Sequence, residues 1–179
     1  NIRGAEMMES LCRDLSVKYK RVGSFVLAFD EAQKEHLEQL YRNGVENGVP
    51  GMELLDGDQA RAMEPALAEN VYGALYAPSA AIIDPWGLCI AEAETAVRNG
   101  VTLKLRSGVT GMEAREDSVL LHTASGDYET RYVVNCAGGW SHELSAMVGE
   151  QEWEAHPSRG EYYLLDKSSG DLVSRVIFQ

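Results

Sequence analysis

The stretch Tyr132–Ser141 constrains the fold of this chain more than any other. Val133 and Val134 favour a strand, and the small residues Ala137–Gly139 follow them just before a helix start. Small residues let the backbone approach a ligand closely, and the N-terminus of a helix offers free N–H groups. The pattern suits a dinucleotide cofactor lying across the ends of a parallel sheet. An ordinary tight strand-to-helix turn explains the same residues equally well.

Helices are predicted wherever apolar residues recur at helical spacing behind a capping residue. Asp30 and Asp84 each precede such a segment, and Pro85 takes the first helical position after Asp84. A shorter segment begins after Asp56 or Asp58, and the pattern leaves open which of the two is the cap. The predicted helices cover residues 4–15, 31–47, 59–63, 85–99 and 141–148.

Strands are predicted from β-branched and aromatic runs that end at turn residues. They cover residues 19–29, 52–55, 71–77, 101–106, 109–114, 118–123, 128–136, 153–166 and 172–178. The four strands between residues 101 and 136 follow one another through tight turns, which is typical of a β-meander and not of another βαβ unit. Together the patterns predict a mixed fold of the α+β or α/β class.

The charge and the cysteines restrict the partners and the compartment. The formal net charge is −12, so a phosphate backbone would be repelled and nucleic-acid binding is not expected. Cys12, Cys89 and Cys136 form no CxxC pair, which favours reduced thiols and a cytoplasmic location. The histidines show no metal-ligand spacing, so we expect no metal site. No apolar run is long enough to span a bilayer, so we expect no transmembrane segment.

A second informative stretch is His156–Leu165, in which Arg159 and Gly160 lead into an aromatic strand. A guanidinium can hold a carboxylate or phosphate through paired N–H donors. Taken alone, a surface arginine at the start of a strand explains the pattern at least as well.

The ends of the chain predict a fragment. There is no initiator Met, and the last residues lie inside the predicted strand 172–178. A strand that ends a protein leaves an unprotected edge, so we expect a longer parent protein. The alternative is a complete small protein with a processed N-terminus.

Several segments, taken in order, resemble one family. The chain is similar to flavin-dependent oxidoreductases of the D-amino-acid-oxidase superfamily, in the branch that holds glycerol-3-phosphate dehydrogenases and L-2-hydroxyglutarate oxidases. Each matching segment is weak by itself, but the ordered set is specific and covers almost the whole chain. The matching segments are Arg21–Ser24, Gly73–Pro78, Ile83–Pro85, Val133–Gly138 and Arg159–Tyr163.

The resemblance implies an FAD cofactor and transfer of a hydride from the substrate to flavin N5. It places one loop of this chain near the FAD, with Cys136 where the family has Ala. The residues of this loop, here called the flavin loop, are Asn135, Cys136, Ala137, Gly138 and Gly139. It also implies three parts. Residues 1–83 and 150–179 would form a substrate-capping lobe with a mixed sheet. Residues 84–149 would form part of a Rossmann-like FAD lobe carrying the meander.

The resemblance further implies that Arg159, and less directly Tyr162, contacts a small anionic substrate such as glycerol-3-phosphate or L-2-hydroxyglutarate. It assigns no catalytic base and no electron acceptor. The family's GxGxxG loop is absent from this chain, so we expect the isolated fragment to bind FAD weakly or not at all and to be inactive. Two alternatives are a glycine- or sarcosine-type oxidase of the same superfamily and a non-catalytic α+β binding domain.

Overall fold

The computed structural model of the chain describes residues 2–149 and 153–179. The chain divides into two compact units. The larger unit comprises Asn1–Val101 and Leu164–Gln179, and the smaller unit comprises Thr102–Tyr163.

Helices and strands are mixed throughout, which confirms the predicted fold class. The helices are α1 (Ile2–Asp14), α2 (Glu31–Glu46), α3 (Gly57–Met63), α4 (Pro85–Arg98) and α5 (Ser141–Ala146), with short 3-10 turns at Gly138–Trp140 and Lys167–Ser169. The strands are β1 (Tyr19–Arg21), β2 (Ser24–Ala28), β3 (Glu53–Asp56), β4 (Gly73–Ala77), β5 (Ala81–Ile83), β6 (Val109–Ala114), β7 (Val119–Thr123), β8 (Gly126–Thr130) and β9 (Val176–Phe178).

Aspartates begin three of the helices. Asp30 caps α2 and Asp84 caps α4, as predicted. The open choice at α3 falls to Asp56, whose side chain accepts a hydrogen bond from the backbone N–H of Gln59, while the Gln59 side chain accepts one from the Asp56 N–H. This reciprocal arrangement satisfies two backbone N–H donors at once. Asp58 satisfies neither of them. Asp58 instead pairs with Arg61 at 2.6 Å.

The larger unit is organised around a four-stranded sheet in the order β3-β4-β2-β9. Strand β4 runs antiparallel to β3 and β2, whereas β9 runs parallel to β2. Successive side chains of a strand point to opposite faces, and both faces of this sheet are covered. On one face Phe25 and Ala74 pack with Ala60 of α3, and on the other Leu75 packs with Leu37 of α2.

A buried ion pair holds the returning strand β9 in this sheet. Glu64 is only 3% exposed and accepts hydrogen bonds from the backbone N–H and the hydroxyl of Ser174 at 2.9 and 2.6 Å. The Arg175 guanidinium lies 3.3 Å from the same carboxylate and 4.9 Å from the centre of the Phe25 ring. Burial opposes ionisation of Glu64, but the Ser174 hydrogen bonds and the Arg175 charge outweigh it and lower the pKa of Glu64.

Strand β5 was not predicted, and it pairs antiparallel with β1 in a separate two-stranded sheet. The following helix α4 has no buried residue, although its composition is apolar. Trp86, Ile90 and Val97 of α4 are all exposed, Trp86 to 79%. An apolar helix face of this kind is typical of a surface on which another element packs.

The smaller unit contains the meander, with strand order β6-β7-β8 and antiparallel pairing throughout. The turn into β8 is tight because Gly126 adopts a φ of +121°, which favours glycine. The register of β6 against β7 shifts between Val109 and Gly111. No described residue of this unit, which covers 102–149 and 153–163, is buried.

Two predicted strands are wrong and a third is confirmed only in part. Residues 101–106 and 153–166 form no strand, and the predicted strand 128–136 is confirmed at residues 128–130, within β8, but not at 132–136. The meander therefore has three strands and not four. A strand needs a neighbour that satisfies its backbone N–H and C=O groups, and within the described part of the chain these three segments have none. Their apolar residues are correspondingly exposed, Val134 to 84%. The predicted strand 172–178 is confirmed only at Val176–Phe178, where β2 supplies the partner.

Candidate functional site

The flavin loop is shaped by the side chain of Asn135. Its amide nitrogen donates to the backbone carbonyl of Ser141 at 2.7 Å and to the Ser145 hydroxyl at 3.2 Å. Its amide oxygen accepts from the backbone N–H of Ala137 at 3.2 Å. One side chain thus holds the start of the loop against the start of α5. Asparagine suits this position because it offers donors and an acceptor together.

The two glycines of the flavin loop have different roles. Gly138 has a φ of +58°, a backbone conformation that side chains disfavour. Gly139 has no positive φ, and a Cβ built on it meets no atom of the described residues within 4 Å. Glycine at 139 is therefore not required by the packing of residues 2–149 and 153–179. It leaves an open backbone surface that a ligand can approach.

The chemistry of the flavin loop fits part of a dinucleotide. Exposed backbone at Gly138 and Gly139 can contact a flat ring or a sugar closely. From Tyr132 to Gly149 the sequence holds no Lys or Arg, so the loop offers no cationic anchor for a pyrophosphate. Helix α5 has only six residues, and Trp140 at its N-cap makes no side-chain cap hydrogen bond. The predicted helix 141–148 is thus shorter than expected, and its contribution to anion binding is small.

The second predicted site segment is open to solvent. The Arg159 side chain is 86% exposed, and its guanidinium lies 3.3 Å from the Glu161 carboxylate, which is also exposed. Tyr162 is 94% exposed. Because the segment is irregular and not the predicted strand, Arg159 and Tyr162 do not alternate across a sheet. They are two solvated side chains on one irregular stretch of backbone.

The flavin loop and the Arg159 segment share no polar contact among the described residues. Within residues 2–149 and 153–179, no hydrogen bond or ion pair joins Arg159 or Tyr162 to the flavin loop. Cys136 is an exposed free thiol. In the same described ranges, no group of three or more His, Cys, Asp or Glu residues could hold a metal ion.

Sequence reasoning missed two clusters of charged side chains. One is the buried pair of Glu64 and Arg175, which the sequence does not distinguish from exposed charges. The other is on the meander, where His122 lies between Glu113 and Asp127. The predicted meander could have signalled the second cluster, because cross-strand neighbours on one face of a sheet interact and His122 has charged residues on both neighbouring strands.

None of the helices among the described residues is both long enough and apolar enough to cross a bilayer.

The sequence matches a known family over its whole length. The profile described as DAO, FAD dependent oxidoreductase, matches residues 1–179. The chain is 45% identical over 179 residues to the glycerol 3-phosphate dehydrogenase of Caloramator mitchellensis, covering 100% of this chain and 37% of that protein. It is 26% identical over 190 residues to the human mitochondrial L-2-hydroxyglutarate dehydrogenase, covering 99% of this chain and 41% of that protein.

Solved structures share the fold. The glycine oxidase of Geobacillus kaustophilus superposes with a TM-score of 0.77 at 27% identity, covering 83% of this chain and 41% of that one. The L-alpha-glycerophosphate oxidase of Mycoplasma pneumoniae, solved with FAD bound, gives a TM-score of 0.76 at 19% identity, covering 82% and 40%. The chain thus spans well under half of these proteins. The family match over all residues, together with the shared fold, shows that this chain belongs to the DAO family of FAD-dependent oxidoreductases.

Proposed function

We propose that the parent protein of this chain is an FAD-dependent dehydrogenase or oxidase that acts on the CH–OH group of a small anionic substrate, with glycerol-3-phosphate as the first candidate. The observation that carries this proposal is the 45% identity, over the whole chain, to a protein named glycerol 3-phosphate dehydrogenase. The hydroxyglutarate relatives favour L-2-hydroxyglutarate as the second candidate, at 26% identity. The glycine oxidase likeness keeps an amino-acid substrate as a third.

The flavin loop is the proposed contact with the cofactor. When bound there, FAD would supply the two-electron acceptor for the hydride that leaves the substrate. This chain contributes exposed backbone at Gly138 and Gly139, and Asn135 holds that backbone in place through its bonds to Ala137 and Ser141. Because the loop has no cationic residue, other parts of the parent protein supply the charged anchor, and the isolated chain binds FAD weakly or not at all.

Arg159 is the proposed anion contact, and Tyr162 a weaker neighbour. The guanidinium already sits beside a carboxylate, that of Glu161, so an anionic substrate would compete with this exposed ion pair. Such exposed pairs are weak, which makes the exchange feasible. The net charge of −12 opposes an incoming anion, so a local cation is needed to bind it.

The proposed division into lobes has the same basis. Residues 1–83 and 150–179 would cap the substrate, and residues 84–149 would complete an FAD lobe with other parts of the parent protein. The exposed apolar segments 101–105 and 132–134 support this division, since they offer strand-forming residues without partners among the described residues. The reduced, unpaired cysteines favour a cytoplasmic protein.

The substrate proposal is tested on the complete protein. Purified protein should show the visible absorbance of oxidised flavin. Adding glycerol-3-phosphate under anaerobic conditions should bleach that absorbance. Bleaching by L-2-hydroxyglutarate or glycine instead would replace the substrate but keep the enzyme class. A complete protein that contains no flavin would overturn the function as a whole.

The flavin loop is tested by paired glycine variants of the complete protein. Gly139→Ala adds a Cβ that meets none of the residues the structure describes, so it should weaken FAD binding without changing the folding of the loop. Gly138→Ala should instead strain the backbone, because its φ is positive. Unchanged FAD affinity in Gly139→Ala, measured by flavin fluorescence, would argue against contact at this loop.

Arg159 is tested against a matched arginine. Arg159→Ala should raise KM about ten- to a hundredfold, as expected for a lost charge-assisted hydrogen bond. Arg98 is the control, because it is also exposed and has one carboxylate partner, Glu94 at 3.4 Å. Arg98→Ala should leave KM unchanged, and an equal rise in both variants would remove the special role of Arg159.

A further inference from the structure

One histidine links all three strands of the meander. His122 lies on the middle strand β7, and its Nδ1 is 3.0 Å from Oδ1 of Asp127 on β8. Its Nε2 is 3.1 Å from Oε1 of Glu113 on β6. Each ring nitrogen therefore faces a carboxylate from a different neighbouring strand.

The two carboxylates determine which protonation state of the His122 ring can form both hydrogen bonds. An ionised carboxylate can only accept hydrogen bonds, so a ring that faces two of them must donate from both nitrogens. Only the protonated imidazolium does so. A neutral ring keeps one N–H, and its other nitrogen then directs a lone pair at a carboxylate oxygen. The protonated ring thus forms an ion pair with each carboxylate, one on β6 and one on β8.

The backbone opposite His122 makes room for the ring. Gly111 of β6 is the register partner of His122, at the irregular point of the ladder. A Cβ built on Gly111 would lie 3.3 Å from Cδ2 of the ring, tighter than an ordinary van der Waals contact. Glycine at 111 therefore leaves room for the imidazole beside β6.

The other charges around the cluster come from three elements. Arg115, just after β6, lies 3.9 Å from Glu113 and 3.1 Å from Glu129 of β8. Helix α5, which contacts β6, carries His142 and Glu143. Glu143 forms no ion pair with His122 in the described part of the unit. The hydrogen bond to Asp127 and then that to Glu113 raise the pKa of His122 above its ordinary value.

We propose that protonated His122 is a pH-responsive staple of the meander, which strengthens the pairing of β6, β7 and β8 through Glu113 and Asp127 and loses this contribution when it gives up its proton to solvent. The stabilisation is complete below the unfolded-state pKa of 6.5 and is lost as the pH rises through the higher pKa of the folded state. The meander is thus tighter in mildly acidic solution than in alkaline solution. The inference does not depend on the substrate or on the cofactor.

The experiment uses the complete protein, with its flavin bound where present. Hydrogen exchange at the imidazole C2 position, followed by mass spectrometry across pH, gives the pKa of His122, with exposed His36 of α2 read in the same spectra as a reference. We expect a pKa above 6.5 for His122, lowered in both Asp127→Asn and Glu113→Gln. Amide protection of residues 109–130, corrected for intrinsic exchange, should fall as pH rises through that value.

Two further variants separate the staple from a general effect on folding. His122→Gln keeps a polar side chain but cannot titrate, so the pH step in amide protection should disappear while protection at low pH falls. Gly111→Ala crowds the ring and should lower the pKa of His122. A pKa at or below 6.5 in the unmodified protein, no change in either carboxylate variant, or amide protection independent of pH would each overturn the proposal.

Discussion

The larger unit and the smaller unit are stabilised by different interactions. The larger unit excludes water from side chains on both faces of its four-stranded sheet, among them Phe25 and Leu37. The smaller unit buries no described residue, and its strands are joined by backbone bonds and by exposed ion pairs such as Arg115–Glu129. Apolar burial is the dominant favourable term in folding, whereas exposed ion pairs contribute little.

We therefore expect the stability of the two units to respond to different changes. The larger unit should respond to cavities and to loss of its buried ion pair. The smaller unit should respond to solution conditions and to contacts supplied by other parts of a longer protein. The match to the glycerol 3-phosphate dehydrogenase of Caloramator mitchellensis covers 37% of that protein, so most of such a relative lies outside the matched region and can supply these contacts.

The largest effect is expected from matched leucine truncations. Leu37 is 2% exposed, and Leu37→Ala should cost about 2–5 kcal/mol of unfolding free energy. Leu121 on β7 is half-buried, and Leu121→Ala should cost roughly 1 kcal/mol. Chemical denaturation of the complete protein measures both. Equal losses would show that the smaller unit gains a full core in the parent protein.

The next effect comes from the buried pair. Glu64→Gln keeps the shape of the side chain but leaves the Arg175 charge without its carboxylate, at a cost of about 3 kcal/mol. Because the pKa of Glu64 is lowered on folding, its stabilisation is present above the ordinary value of 4.5 and is lost as pH falls through the folded-state pKa. The variant should therefore lose stability at neutral pH and lose less on acidification.

Exposed Glu113 gives the control for the buried pair. Glu113→Gln should leave the unfolding free energy of the larger unit unchanged, because its side chain lies in the smaller unit and is 59% exposed. A Glu64→Gln variant as stable as the unmodified protein across pH 4 to 8 would show that the ion pair does not hold β9 in place.

The smallest effect is expected at a helix cap. Asp56→Ala removes the side-chain half of the capping box of α3 and should cost about 1 kcal/mol. Asp58→Ala, two residues along, removes an ion pair with Arg61 in which the Asp58 carboxylate is 94% exposed, and it should cost less than half as much. Thermal unfolding of both variants ranks them. The reverse order would mean that the Arg61 contact, and not the cap, fixes the start of α3.

The sequence predicted well those features that depend on a few adjacent residues. The caps at Asp30 and Asp84 and the tight turns of the meander follow from local hydrogen bonds and from backbone sterics, so their positions could be predicted from adjacent residues. Strand β5 was missed because its three residues, Ala81–Ile83, are too few to show alternation before pairing with β1.

The wrong strands have a different cause. Residues 101–106 and 132–136 have strand-forming composition, but a strand also needs a partner, and composition does not reveal whether one is available. The same reasoning applies to the candidate site. The flavin loop was recognisable as a motif. The surroundings of Arg159 were not, because the segment 153–163 is irregular and its own residues do not fix where that side chain lies.

The parallel pairing of β9 with β2 has a consequence for biosynthesis. Ser24 leaves the ribosome early, but its partner Val176 is made much later, so the β2 edge stays open in between. At roughly 5–20 residues per second, this interval is on the order of ten seconds. During that time the nascent sheet exposes unpaired strand backbone to other chains. Premature termination before residue 176 would thus leave an aggregation-prone product.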